Sequence, residues 1–397
     1  MKSNYSKTER RGYTFLFAPF GIGAMATATR FPEIRDNLHL NNGTFGTILS
    51  LSSVGSLLAF MLVSQAVNRY GVRRILWLGS YGCFGLSAVV PHLHYGWQFL
   101  FVTIGLGFSL TTLHIAQNAQ AIHRQEEIGK VILPRLHGTW SLGALITSIL
   151  AIAVTPFTTL AWHIDTLMAL MMLATAYGIK TTGPHFIEAS AKSQVVEKSS
   201  IKSTLLSVKT FWVISFAQIL SIQIEFSIND WSAIYSKDTI KMSAALSIMS
   251  YACFISAMIA LRFNVHRLLQ RYSERELMKV FPRAGGLGFI VFLITGTLVS
   301  SHHRILGFAI SLLAFICAGL GSSFLGPTFF GIAFRTSSLP SSVVVAQIGL
   351  INVVVTFIVK VIISWVAQVT NVTTGLMIPG VMLICTSAFA YLGNEKK

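Results

Sequence analysis

Charge is scarce in this sequence. Of its 397 residues 11% are charged and 53% hydrophobic, with a mean hydropathy of +0.65, whereas soluble domains carry about 25% charged residues. No stretch longer than about thirty residues is polar enough to fold in water on its own. A water-soluble globular architecture is excluded, and the lipid bilayer is the partner of most of the surface. Cysteine is also sparse: Cys83, Cys253, Cys317 and Cys385 stand apart, each inside an apolar run. Such thiols behave as small apolar residues, so neither a disulfide framework nor a metal site is expected. His92 with His94 and His302 with His303 form the best metal case, but no acidic or cysteine ligand accompanies them at a metal spacing. Catalytic signatures are missing as well. There is no His-Glu-x-x-His helix, no Ser-His-Asp order in a usable context and no phosphate-cradling loop ahead of a helix. The expectation is a protein that is not an enzyme, holds no cofactor and is not driven by ATP. "GIGAMA" (Gly21 to Ala26) imitates a dinucleotide fingerprint but lies inside an apolar run, where close helix packing explains it better.

What the chain has in abundance is long apolar runs. Twelve approach the bilayer-crossing length of about 20 residues: 13–29, 45–67, 75–90, 96–121, 138–154, 158–179, 211–235, 243–261, 284–300, 305–330, 343–366 and 373–391. The sixth is interrupted by Trp162, His163 and Asp165. The first follows a basic start and could pass for a signal peptide, but with eleven spans behind it the reading is a retained helix. With the amino terminus inside, 24 of the 30 Lys and Arg fall in cytoplasmic segments, 5 outside, and Lys360 within the eleventh span. That asymmetry predicts both termini in the cytoplasm. The net charge of +16 then follows from topology and anionic lipid. It implies no nucleic acid, which needs a clustered basic face on a folded module.

An internal repeat divides the chain. "NRYGVRR" (Asn68 to Arg74) follows the second span and "QRYSERE" (Gln270 to Glu276) the eighth, 202 residues later. The expected fold is an all-α membrane protein of twelve transmembrane helices in two pseudo-symmetric six-helix halves. These are residues 1–180 and 210–397, joined by a Ser- and Lys-rich cytoplasmic linker over 181–209. Many carriers have this architecture, with the solute bound near the midplane.

"SQAVNRYGVRR" (Ser64 to Arg74) resembles the loop signature Gly-x-x-x-Asp-Arg-x-Gly-x-Arg-Arg of the major facilitator superfamily. Arg69, Gly71, Arg73 and Arg74 match; Ser64 and Asn68 replace its glycine and aspartate. In the family that aspartate helps latch the halves, so the resemblance implies a weaker or purely hydrogen-bonded latch here. "RFPEIRDNLHL", "AQNAQA", "HGTWSLGAL", "DWSAIY" and "GLGSSFLGP" resemble a bacterial, fucose-permease-like branch. There the residue two before "AQNAQA" is commonly aspartate, and here it is His114.

Polar residues inside spans are the candidates for function, because a charge in hydrocarbon is costly unless it is paired, wet or protonated. At 100° per residue, Ser215, Gln218, Ser221, Glu225, Asn229, Ser232 and Ser236 share one arc of the seventh helix. Glu225 is expected to face the cavity, for proton or substrate coupling or a structural hydrogen bond. Asp230 sits about 140° round from it, for capping or pairing at the membrane edge. On the fourth helix Thr103, Gly107, Thr111, His114, Gln117 and Asn118 share a side. His114 is either a protonation site or hydrogen-bonded between helices. Arg30 and Glu33 form a local ion pair or touch substrate. Lys360 is expected to snorkel and receives no role. Trp140, Gln117, Asn118, Gln218 and Asn229 suggest a neutral polar, sugar-like solute. The expectation is a monomeric secondary carrier of a small solute coupled to protons by alternating access. The alternatives are a non-transporting receptor or assembly protein on a carrier fold, or a drug or metabolite exporter.

Overall fold

The computed structural model describes residues 5–130, 132–183, 186–189, 201–336 and 341–395. Its described residues form helices, turns and loops, with no strand among them. The chain makes two compact units: Met1–His39 with Leu51–Lys198, and Leu40–Ser50 with Ser199–Lys397.

In the first unit α1 (Lys7–Ala26) leads through a 3-10 turn into the short α2 (Phe31–Asn37). Then come α4 (Ser52–Tyr70), α5 (Val72–Val89), α6 (Gly96–Ile128), α7 (Leu133–Val154) and α8 (Leu160–Thr181). The second unit holds α3 (Asn42–Ser50), α9 (Ile201–Ile234), α10 (Ala244–Ser247), α11 (Met249–Arg271) and α12 (Glu274–Ser300). It continues with α13 (Arg304–Ser322), α14 (Leu325–Thr336), α15 (Ser341–Val369) and α16 (Val372–Thr386). Start signals are local. Ser6, Thr159, Ser243 and Asn371 each accept a bond from the backbone N–H three residues on, satisfying a donor the helix cannot. Ser273 and Glu276 form a full capping box.

Ten helical segments among the described residues are long and apolar enough to cross a membrane. They match ten of the twelve expected spans, with the second running Asn42–Tyr70 through α3 and α4 and the tenth Arg304–Thr336 through α13 and α14. The other two, α1 and α9, are helices that carry their own polar load: Lys7, Glu9, Arg10 and Arg11 in the first turns of α1, and Glu225 and Asp230 within α9. Phe101, Leu173, Leu298 and Ile305 are among the apolar side chains left exposed, the surface that meets lipid. The stretch 181–209, expected as a linker, is partly helical, since α9 begins at Ile201; its residues 184, 185 and 190–200 lie outside the described residues.

Small residues set the helix spacing. A Cβ on Gly107 of α6 would strike the Ser52 carbonyl oxygen of α4, and Thr111 donates to Ser56 one turn on at 2.9 Å. Backbone contact of this kind substitutes for the hydrophobic force that lipid cannot supply between helices. Gly21 of "GIGAMA" likewise lies against the carbonyl of Trp140 on α7, which is a packing role.

The first unit is tied at one end by charge. Arg124 on α6, fully buried, gives two bonds to Glu9 of α1, with Nη2 to Oε2 at 2.9 Å, and a third to Glu127 at 2.7 Å. At the opposite end of α1, Arg30 is also buried. It pairs with Glu33 at 2.6 Å and reaches Thr155 Oγ1 at 3.1 Å and His163 Nδ1 at 3.0 Å. The polar interruption of the sixth span is thereby accounted for: His163 serves Arg30, Asp165 meets His92 at 2.9 Å, and Trp162 stays exposed. The helix α8 runs through all three.

Candidate functional site

In the first unit, α1, α6 and α7 bring a group of rings together. Phe20 lies 6.2 Å from His114 and 6.3 Å from Trp140; His137 meets His114 edge-on at 6.1 Å and Phe17 at 5.9 Å. His137 Nε2 is 3.0 Å from Asn118 Oδ1, and Gln117 Nε2 donates to the Leu16 carbonyl at 2.8 Å. His114 is exposed and makes no hydrogen bond among the described residues. Trp140 Nε1 and Gln117 Oε1 are buried polar atoms without a partner among the described residues. Buried polar groups are nearly always satisfied in folded proteins, so this patch presents an indole donor, an amide acceptor and a free imidazole around aromatic faces. No ionised carboxylate, Lys or Arg belongs to it.

The arc on the fourth helix therefore divides. Gly107 and Thr111 serve packing on α4, and Thr103 is buried with its hydroxyl unpartnered, while His114, Gln117 and Asn118 join the ring cluster. His137 and Phe20 are absent from the sequence-derived set. A signal for His137 existed: it stands three residues before Trp140, on the same face of α7.

In the second unit the arc on α9 is divided among neighbours rather than gathered on one wall. Gln218 accepts from Asn352 Nδ2 of α15 at 3.2 Å, and Gln223 donates to Thr356 Oγ1 at 2.8 Å. Ser236 Oγ is 2.6 Å from Ser250 Oγ of α11, and Ser215, Ser221 and Ser232 are buried. Asn229 Oδ1 is buried without a partner among the described residues. Glu225 faces Arg262 of α11 across 3.7 Å, with side chains 26% and 33% exposed, and Arg262 Nε also donates to the Ser323 carbonyl at the α13–α14 break at 2.6 Å.

Asp230 and Lys360 correct the reading of Lys360 as a snorkelling side chain. Lys360 Nζ sits 2.8 Å from Asp230 Oδ2 and 5.5 Å over the Phe226 ring. Together Asn352, Thr356 and Lys360, one turn apart on α15, meet Gln218, Gln223 and Asp230 of α9 as a three-rung polar ladder. Sequence projection missed every partner on α11 and α15, because an angle on one helix does not say which helix lies opposite.

A sequence profile for the Major Facilitator Superfamily matches residues 13–364. The chain belongs to the major facilitator superfamily. It is similar to an uncharacterized MFS-type transporter of Yersinia pestis, 23% identical over 379 residues, covering 93% of this chain and 92% of the relative. It is also similar to an uncharacterized transporter of Sinorhizobium fredii, 21% identical over 349 residues, covering 86% and 87%. Among solved structures, a mutant form of the nucleoside transporter NupG superposes with a TM-score of 0.77 at 12% identity, covering 97% and 99% of the two chains. The D-xylose-proton symporter gives 0.71 at 14% identity and 98% of each. At such identities these likenesses show the fold. The chain is an integral membrane transporter of small solutes, not an enzyme.

In this major facilitator protein the loop motif sits between α4 and α5. Gly71 takes φ +77°, the left-handed region that favours glycine. Asn68 is exposed, Arg69 lies over the Tyr70 ring at 5.2 Å and Arg73 over Phe186 at 5.9 Å; Arg74 is exposed. The segment after α8 is strapped across the turn: Val72 N–H donates to the Ile187 carbonyl at 3.0 Å, and Ile187 N–H donates to Gln120 Oε1 at 3.0 Å. The equivalent turn after α11 is closed differently, with Tyr272 extended and Ser273 capping α12.

Proposed function

We propose that this transporter moves a small neutral, hydroxyl-bearing ring compound, sugar-like in class, by proton-coupled alternating access. The observation that carries the reading is the ring cluster of the first unit. Phe20, His114 and Trp140 offer apolar faces for the C–H side of a sugar ring, while Trp140 Nε1, Gln117 Oε1 and the His114 imidazole supply the few polar groups that orient a ligand. A phosphorylated or dicarboxylate solute would need cationic side chains, and the cluster has none. Coupling to protons rests on one of the two carboxylates within spans, Glu225 or Asp230, since a carboxylate there is a functional candidate by its cost alone. The fold neighbours include a protein named a D-xylose-proton symporter, which agrees with this reading.

The rest of the reading follows the same line. The chain works as two six-helix halves, residues 1–180 and 210–397 with the 181–209 segment between them, in a monomer of the bacterial inner membrane with both termini cytoplasmic. Within the superfamily the motifs favour the fucose-permease-like branch. A tag at each terminus, probed with an impermeant reagent in intact cells, tests the topology.

The test of function is solute uptake by proteoliposomes under an imposed pH gradient, with a panel of neutral sugars, nucleosides and amphipathic drugs. Acceleration by a neutral sugar or nucleoside supports the reading; drug extrusion alone replaces it with an exporter. The departures at Asn68 and His114 favour one second reading, a receptor on a carrier fold. It predicts saturable binding with no flux.

A further inference from the structure

We propose that the Asp230–Lys360 pair, rather than Glu225, is where a proton controls the conformation of this transporter, by deciding whether α3 stays seated on α15. This deepens the proton-coupled reading above and rests on it.

The seat is built from the pair's immediate neighbours. Trp231 follows Asp230, and Ser364 lies one turn beyond Lys360, its Oγ donating to the Lys360 carbonyl at 2.6 Å. Both press on Gly46 of α3: a Cβ there would fall 2.7 Å from the Trp231 ring and 2.6 Å from Ser364 Cβ. Gly43 lies under the Trp365 ring, Gly43 N–H reaches Gln368 Oε1 at 3.4 Å, and Trp365 Nε1 donates to Thr47 at 3.2 Å. Trp231 and Ser364 are buried under α3. The seat and the ion pair are one packed block.

Charge neutrality is what lets that block close. With Asp230 ionised and Lys360 protonated the pair is net zero, and its side chains are 12% and 14% exposed. Adding one proton to Asp230 forms one O–H bond, leaves the ammonium unchanged and turns the pair into a net +1. An unpaired ammonium in an enclosed apolar site is strongly unfavourable, so the protonated form favours the state in which α3 has left and water reaches Lys360. A proton shifts a conformational equilibrium only by its differential affinity for the two states. Glu225 lacks that difference here, since it and Arg262 are already partly wet at 3.7 Å.

No other charge can substitute locally. Helices α3, α10 and α16 carry no charged side chain, and α15 carries only Lys360. Helix α11 contributes Tyr251 and Arg262 at Glu225, with His266, Arg267 and Arg271 toward its far end. The turn Tyr235–Thr239 brings Lys237 and Asp238, each with an interaction of its own, and Arg304 and Arg335 sit at the ends of α13 and α14.

The experiment is maleimide labelling of Ser364→Cys in the full chain with its four cysteines replaced. Rates are taken from pH 8 to pH 4 and divided by those of an exposed reference, Ser301→Cys, to remove thiol ionisation. The normalised rate should stay level near neutral pH and rise about twofold by pH 4, since an unpaired carboxylate is half-protonated near there while the ammonium favours the ionised form in the seated state. Asp230→Asn, which leaves Lys360 unpaired, should label fast at every pH. Asp230→Asn with Lys360→Met, neutral throughout, should label slowly at every pH, and Glu225→Gln should keep the parent profile. A flat parent profile, a parent-like profile in Asp230→Asn, a fast double variant or a flat Glu225→Gln would each overturn the proposal. If Asp230→Asn does not fold, the double variant and Glu225→Gln still decide it. No solute is used, so a failure to find one leaves this result standing, and a flat profile leaves solute transport untouched.

Discussion

Asp230 Oδ2 and Lys360 Nζ lie 2.8 Å apart between α9 and α15, and neither helix offers either of them another opposite charge within the ladder they close. Removing one partner of a buried pair leaves the other uncompensated and costs about 3–5 kcal/mol, whereas replacing both with neutral groups is often near neutral. Lys360→Met is therefore expected to destabilise the purified protein strongly. Adding Asp230→Asn should recover most of the loss, measured by denaturant midpoints in detergent.

Arg124 and Glu9 predict a second effect of the same kind at the other unit. Arg124 is fully buried and bonds Glu9 twice as well as Glu127. Arg124→Met should cost about 3–5 kcal/mol. Lys130→Met, on the exposed turn two residues after α6, should change stability by less than about 0.5 kcal/mol. Thermal unfolding of both variants in one detergent makes the comparison.

Much of the fold was legible because lipid imposes length: ten of the twelve apolar runs coincide with helices long and apolar enough to cross. The helices α1 and α9 hold two of the most telling carboxylates, Glu9 against Arg124 and Asp230 against Lys360. The break of the second span at Leu51 left no comparable signal, as no proline marks it. The candidate site was legible only by halves. His114, Gln117, Asn118 and Trp140 are found near one another, because residues on the same face of α6 can meet a shared neighbour. The partners of Glu225, Asp230 and Gln218 come from 37, 130 and 134 residues away, and a helical wheel is silent on what packs against it.

Glycine substitutions separate spacing from propensity. Gly107→Val would drive a side chain into the Ser52 carbonyl and should cost at least about 1–3 kcal/mol. Gly331 in α14 has only the tip of Arg335 within reach, at 3.9 Å. Gly331→Ala should stabilise by about 0.5–1 kcal/mol, the gain of alanine over glycine in a helix. Unfolding midpoints report both signs.

Trp140→Phe tests the ring cluster without disturbing it. The indole N–H has no partner among the described residues, so the protein loses no hydrogen bond and should lose less than about 1.5 kcal/mol, from packing alone. The solute should lose one, about 1 kcal/mol or a factor of about five in affinity. His114→Ala should weaken binding further by removing both a face and a polar atom. Equilibrium binding to detergent-solubilised protein gives the numbers.

The most direct measurement is solute-dependent proton entry into liposomes carrying the purified protein, screened against neutral sugars, nucleosides and amphipathic drugs. The account predicts flux with a neutral hydroxylated ring compound, retained in Glu225→Gln and abolished in Asp230→Asn. Saturable binding of such a solute with no proton movement in the parent protein would contradict it.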